Sequence, residues 1–266
     1  MPRNPLLENM LSGKTSLGAW AQDPGTIRLM AHIGFDWVMI DMMFTSLTWD
    51  DVERLITTSE AAEITPVVRV QSNPWIGYDH RIAVDVSRAQ GVGAQFILIS
   101  NSCKKEIEEC IGVSRDWHRR ALVIHPFKGF GEWEPTISKM ANETFIIPQP
   151  ESKGGLEDLE ETLAIEGVKA FFIGMTDASR VLTGGEKPDW NSPILWEQVG
   201  RAVKIGKEKG VMIGANTSYA YTMGEMAKRV KKLHDAGVKM IMIQGAPFLF
   251  QVAVGEFVNS VRKDLK

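Results

Sequence analysis

The sequence predicts an α/β protein built on a parallel sheet, and three observations carry that prediction. Short apolar, β-branched runs recur along the chain. Amphipathic stretches of helical period separate most of them. Several helix-to-strand junctions share one form, a glycine followed by a hydrophobic run. Repeated strand–helix alternation implies a parallel sheet, which right-handed crossovers either close into a barrel or wind both ways. With 266 residues, 44% hydrophobic and 24% charged, the chain can bury a large core, and one α/β barrel accommodates that length.

The strand candidates, in order, are SLGAWA (16–21), WVMID (37–41), PVVRV (66–70), FILIS (96–100), ALVIHP (121–126), FIIPQPE (145–151), AFFIG (170–174), VMIGAN (211–216) and KMIMIQG (239–245). They are near-continuous rather than alternating, which suits parallel strands buried on both faces. Between them LTWDDVERLITTSEAA, CKKEIEECIGVSRDW, GLEDLEETLAI, ILWEQVGRAVKIGKEKG and MGEMAKRVKKLHDAG read as helices. The junctions AHIGFDWVMI, RAQGVGAQFILI, AIEGVKAFFIG, KEKGVMIGA and HDAGVKMIMI each place a glycine where a helix must end. Nine strand candidates exceed the eight of a closed barrel. ALVIHP is the expected extra piece, because the segment from Asp116 to Met140 is crowded with Trp, Gly and Pro and lacks a clear helix. No second domain is expected within residues 1–266.

Composition excludes several classes. The net charge of −3 offers no basic footprint for nucleic acid. No apolar stretch reaches the roughly 18 residues a membrane span needs. The opening MPRNPLLENMLSGKTS has no long apolar region, so no signal peptide is expected. Cys103 and Cys110 form neither a zinc pattern nor a disulfide framework, and reduced thiols in a cytoplasmic protein are expected. No Gly-x-Gly-x-x-Gly follows the first strand, so a dinucleotide fold has no support.

The polar residues that interrupt the pattern fall at strand ends: Asp41, Arg69, Gln149, Glu151, Asp177, Asn216 and Gln244. In a strand–helix barrel these ends share one face, the face that carries active sites. Taken singly, a carboxylate there is as readily a helix N-cap, and Asn216 and Gln244 read as structural. Taken together, Glu151 and Asp177 on neighbouring strands make a half-site for a hard divalent ion. Mg2+ takes one or two protein carboxylates plus water and substrate oxygens. An arginine facing them could stabilise an oxyanion.

PVVRV, then Gln149-Pro150-Glu151, then FFIGMTD (171–177) resemble the HpcH/HpaI class II pyruvate aldolases of the phosphoenolpyruvate/pyruvate superfamily. GFDWVMID looks like that family's second-strand signature, NPLLENMLSGKTSLGAW resembles its opening, and the strand spacing agrees to the C-terminus. The resemblance implies a single-domain (β/α)8 TIM barrel and a carbon–carbon lyase acting on a 2-oxo acid through a metal-bound enolate. It implies that Glu151 and Asp177 bind Mg2+, or Mn2+ or Co2+ in its place, and that Arg69 stabilises the enolate oxygen. The turn Gly174, Met175, Thr176 would present N–H groups to the substrate carboxylate, and Gln149 would line the site. It also implies a homo-oligomer, a trimer or hexamer with C-terminal helices exchanged between subunits; GAPFLFQVAVGEFVNSVRKDLK suits such docking.

One departure stands out. The family's second strand ends in Asp-Gly-Glu-His, with aspartate and histidine as the acid/base dyad, whereas this chain reads Asp41-Met42-Met43-Phe44. Phenylalanine cannot move a proton. His125 is the first candidate replacement, ahead of Tyr78, His80 and His118. Alternatively, Asp41 is desolvated by its apolar neighbours and serves as the base. A third reading is chemistry that needs no such base, a decarboxylation or a carbon–carbon bond formation beside the enolate. A barrel that binds without catalysing is the remaining alternative. The apolar triplet also predicts a less polar second substrate, contacting Phe44, to which loop residues Trp75 and Trp133 could add.

Overall fold

Eight parallel strands follow one another: β1 (Ser16–Trp20), β2 (Trp37–Asp41), β3 (Thr65–Arg69), β4 (Phe96–Ser100), β5 (Phe145–Gln149), β6 (Ala170–Ile173), β7 (Met212–Asn216) and β8 (Met240–Met242). The computed structural model describes residues 3–71, 79–115 and 143–265. Hydrogen-bonded neighbours run β5-β4-β3-β2-β1-β8-β7-β6, and β5 lies beside β6, which brings the two ends of the ladder together. The sheet is therefore the barrel rather than the doubly wound alternative. Each strand coincides with a predicted run to within a few residues. ALVIHP lies outside the described residues, as do His125, Tyr78, His118, Trp75 and Trp133.

The helices are α1 (Pro5–Ser12), α2 (Pro24–Ile33), α3 (Trp49–Ala61), α4 (Arg81–Gly91), α5 (Lys104–Arg115), α6 (Lys153–Glu157), α7 (Leu159–Leu163), α8 (Met175–Thr183), α9 (Pro193–Lys209), α10 (Met223–Asp235) and α11 (Ala246–Asp264). The single helix expected over GLEDLEETLAI is two short ones that meet at Asp158. Start signals behave as local chemistry requires. Thr48 and Asp51 close a reciprocal capping box on α3. All five predicted junctions turn on a glycine at positive φ: Gly34, Gly93, Gly167, Gly210 and Gly237. Helix α1 crosses the floor of the barrel, its Leu6 N–H donating to Thr65 Oγ1 at the foot of β3.

Two apolar layers hold this arrangement. Inside the barrel Trp37, Met39, Val67, Phe96, Leu98, Ile147, Phe172 and Met240 form one buried cluster. Between sheet and helices Val38, Ile40, Val68, Ile97, Ile99 and Ile146 belong to another. Trp37 occupies the space that any side chain at Gly18 would need, 2.2 Å from the position of a Cβ. Because strand side chains alternate, the next inward position above this filling is polar or absent in strand after strand. Asp41 follows Met39, Arg69 follows Val67, Ser100 follows Leu98, Gln149 follows Ile147 and Gly174 follows Phe172. The barrel is greasy to within one layer of its C-terminal mouth and polar there.

Helix α11 departs from the packing of the others. Val252 is its one buried side chain among those described, Phe250 and Phe257 are 69% and 66% exposed, and Leu265, just past its end, is 80% exposed. An apolar groove of about 520 Å³ remains on the outer side of the barrel between β1, β8 and α10, lined by Leu17, Met223, Met226, Val230 and Ile243. No described helix is long and apolar enough to cross a membrane.

Candidate active site

Asp41 and Arg69 are opposite one another in the β2–β3 register, at the last position of each strand. Their side chains close a two-point ion pair: Arg69 Nε donates to Asp41 Oδ1 at 2.8 Å and Nη2 to Oδ2 at 2.5 Å. Both residues are buried. Asp41 Oδ1 also accepts the Met43 N–H at 2.9 Å, and its carbonyl accepts the Thr45 hydroxyl. Met42 is buried beside it, but Phe44 turns outward, 73% exposed, and its ring centre lies 4.9 Å from the Arg69 guanidinium carbon. That is cation–π range. Asp41 therefore holds an arginine, and Phe44 covers it.

Across the mouth, Glu151 follows β5. Gln149 Nε2 donates to its Oε1, and Asn101 Nδ2 donates to its Oε2 at 3.0 Å. Gly174 caps β6 close by, where a Cβ would come within 2.8 Å of both Gln149 Nε2 and Glu151 Oε1. The position must be glycine for the carboxylate to stand there. Glycine 174 is also the N-cap of α8, whose first turn has no side-chain cap and carries Asp177. Asp177 is half-exposed and 3.7 Å from Arg180. Burial, and then the charge of Asp177, push the Glu151 carboxyl up to about 7, while Arg69, Gln149 and Asn101 pull it down. Glu151 therefore feels the acidic and the cationic halves of the site together.

Beside α8, Thr176 Oγ1 donates to Ser218 Oγ at 3.0 Å, and Gln244 Nε2 donates to the Ser218 carbonyl at 2.7 Å. Asn216 Oδ1 accepts the Ser218 N–H at 3.2 Å, which fits the structural role expected of Asn216. His80 is exposed at the start of α4. Two residues of this mouth were not singled out from the sequence, Asn101 and Ser218. Both take positive φ, and the one available signal was an Asn or Ser placed just after a strand.

The donor set fits a divalent cation. Glu151 and Asp177 supply two hard carboxylates, and the buried one holds a proton up to near neutrality, first because burial opposes its charge and then because the other carboxylate does. A dication would neutralise both. Among the described residues no cluster of three His, Cys, Asp or Glu is present, so the remaining coordination positions would fall to substrate and water.

A family model described as HpcH/HpaI aldolase/citrate lyase matches residues 17–244. Hydroxypyruvate/pyruvate aldolase of Roseobacter denitrificans is 23% identical over 222 residues, 79% of this chain and 83% of its own. Among solved structures, an HpcH/HpaI aldolase from Desulfitobacterium hafniense aligns with a TM-score of 0.79 at 19% identity, covering 98% of this chain and 97% of its own. Phosphonopyruvate hydrolase in complex with oxalate and Mg2+ aligns with a TM-score of 0.56 at 15% identity, covering 99% of this chain and 88% of its own.

Proposed function

This chain belongs to the HpcH/HpaI aldolase/citrate lyase family, and from that premise we propose that it is a divalent-metal-dependent carbon–carbon lyase for a 2-oxo acid of the pyruvate type. The observation that carries the proposal is the buried Glu151 carboxylate, held by Gln149 and Asn101 at the barrel mouth, with Asp177 in the first turn of α8 and the fixed Arg69 both acting on its charge. Glu151 and Asp177 would hold Mg2+, or Mn2+ or Co2+. When bound, the metal supplies Lewis-acid polarisation of the substrate's keto group. The Mg2+ and oxalate carried by phosphonopyruvate hydrolase on the same fold support that choice.

Cleavage of a 4-hydroxy-2-oxo acid breaks the C3–C4 bond. A base takes the hydroxyl proton, the aldehyde carbonyl forms, and the electron pair moves onto the keto oxygen. A proton then returns to C3. In this scheme Arg69 steadies the charge on that oxygen. Asp41 acts by orientation, since both of its oxygens are engaged by Arg69. The open first turn of α8, at Gly174, Met175 and Thr176, receives the substrate carboxylate, and Gln149 lines the pocket. Phe44 takes the sequence position of the family's histidine, so the hydroxyl proton needs another carrier, and His125, outside the described residues, is the first candidate. The exposed outer face of Phe44 favours a second substrate that is flat or apolar rather than a sugar acid.

The same proposal covers assembly. A second copy's α11, with its exposed Phe250 and Phe257, would enter the apolar groove over β1 and β8 and build a trimer or hexamer. Unpaired Cys103 and Cys110 suit a cytoplasmic setting.

The direct test offers 4-hydroxy-2-oxo acids with aliphatic, aromatic and polyhydroxylated tails and follows pyruvate release with Mg2+ and after chelation. Metal-dependent release that is lost in Glu151→Gln supports the proposal. Turnover that persists after chelation overturns it.

A further inference from the structure

Glu151 is placed just beyond the end of β5, at the side of the barrel where, among the described residues, the neighbouring strands β5 and β6 are not paired in the ladder. The order β5-β4-β3-β2-β1-β8-β7-β6 has β5 and β6 as its two ends. The backbone on the β6 side therefore does little to fix it. From the β4 side, by contrast, the segment 149–151 is tied at three points, two of them on residue 151. The Asn101 N–H donates to the Gln149 carbonyl at 2.8 Å, extending the ladder one step past the Ser100–Gln149 pair. Asn101 Oδ1 accepts the Glu151 N–H at 3.0 Å, and Asn101 Nδ2 donates to Glu151 Oε2 at 3.0 Å. One side-chain amide thus grips both the backbone and the carboxylate of the same residue.

The backbone of Asn101 shows what this grip requires. Its φ is +51°, a left-handed conformation that side chains rarely take and that asparagine tolerates better than most. With Gln149 on Oε1 and Asn101 on Oε2, the Glu151 carboxylate cannot rotate, and each oxygen keeps lone-pair capacity for one further partner. Outer residues that hold a ligand in this manner set the affinity of the site they serve.

We infer that Asn101 is the positioning residue of the cation site: it fixes the Glu151 carboxylate in the orientation that receives a divalent ion, and it does so from a left-handed turn at the end of β4. The inference rests on the proposed metal role of Glu151 and Asp177, so its test must separate the two. The probe is Mn2+ itself, titrated into the full chain and followed by the EPR signal of the free ion. Asn101→Gly relaxes the backbone at positive φ and removes the amide. Asn101→Ala removes the amide and adds backbone strain. Both are expected to weaken Mn2+ binding about 10- to 100-fold, and equally, while Asn101→Ala lowers Tm more than Asn101→Gly does. A residue with only a structural role would instead make affinity follow Tm. If Asn101→Gly binds Mn2+ like the wild type while Glu151→Gln does not, the positioning role of Asn101 is overturned and the metal site stands. If the wild type binds no Mn2+, or Glu151→Gln binds it unchanged, the metal site falls and the inference with it.

Discussion

The Phe44 ring covers the face of the Arg69 guanidinium at 4.9 Å while Asp41 closes the edge of the same group with two hydrogen bonds, Nε to Oδ1 and Nη2 to Oδ2. The arginine is thereby held in one plane and one position before any substrate arrives. Carbon-acid chemistry needs that kind of cation, because charge develops on an oxygen and a group already in place costs no reorganisation. It also explains how an aspartate comes to end a strand as apolar as WVMID.

Asp41→Asn should separate stability from orientation. The change leaves a buried guanidinium with a neutral partner, and removing one member of a buried pair costs on the order of 3 kcal/mol. A loss of several degrees in Tm is expected, together with a fall of roughly 100-fold in kcat as Arg69 loses its register. Thermal unfolding and steady-state kinetics measure the two effects. Unchanged kcat in a folded Asp41→Asn variant would show that Arg69 needs no holding.

Phe44→His restores a proton carrier and removes the apolar platform. Discrimination between an aromatic aldehyde and a polyhydroxylated one should shift about tenfold toward the latter, the scale that a pocket contact of this size supplies. The ratio of kcat/KM for the two acceptors in the synthetic direction reports it. An unaltered ratio would remove Phe44 from the recognition of the second substrate.

The pH dependence follows from Glu151. Its folded-state value of about 7 lies above the ordinary 4.5. In the metal-free protein the favoured protonated form is fully present below pH 4.5. Ionisation then erodes stability as pH rises from 4.5 to about 7. Glu151→Gln lacks that erosion, so its Tm advantage under chelation should be larger at pH 8 than at pH 5. Metal binding must also displace the proton, so Mn2+ affinity of the wild type should climb toward pH 7 and then flatten. Parallel Tm profiles for the two proteins would contradict this.

Assembly is open to a simple change. Phe257→Glu charges an exposed position of α11. Light scattering after size exclusion should find the wild type as a trimer or hexamer and the variant dissociated. A wild-type monomer would show that the groove between β1, β8 and α10 has another use.

Much of this was legible in the sequence. Eight of the nine apolar runs are strands, and Gly34, Gly93, Gly167, Gly210 and Gly237 mark their junctions by a local requirement that a single residue satisfies. Asp41, Arg69, Gln149 and Glu151 were visible as polar residues ending apolar runs. Their pairings were not, because Asp41 meets Arg69 through the β2–β3 register, a property of two strands rather than of either. Asn101 escaped for a related reason. An asparagine after a strand reads as an ordinary turn residue until the strand beside it brings a carboxylate within reach. The break of GLEDLEETLAI at Asp158 and the exposure of apolar residues on α11 depend on what packs against each helix, which periodicity does not report.

The central claim is that this barrel makes the enolate of a pyruvate-type acid at a cation held by Glu151 and Asp177. Proton NMR of pyruvate in D2O tests it most directly, with protein, with and without Mg2+ or Mn2+. Loss of the methyl signal that requires metal and disappears in Glu151→Gln is the predicted result. A methyl signal that persists with metal demonstrably bound would contradict it, and would place the carbon–carbon chemistry on a different 2-oxo acid or remove it from this protein.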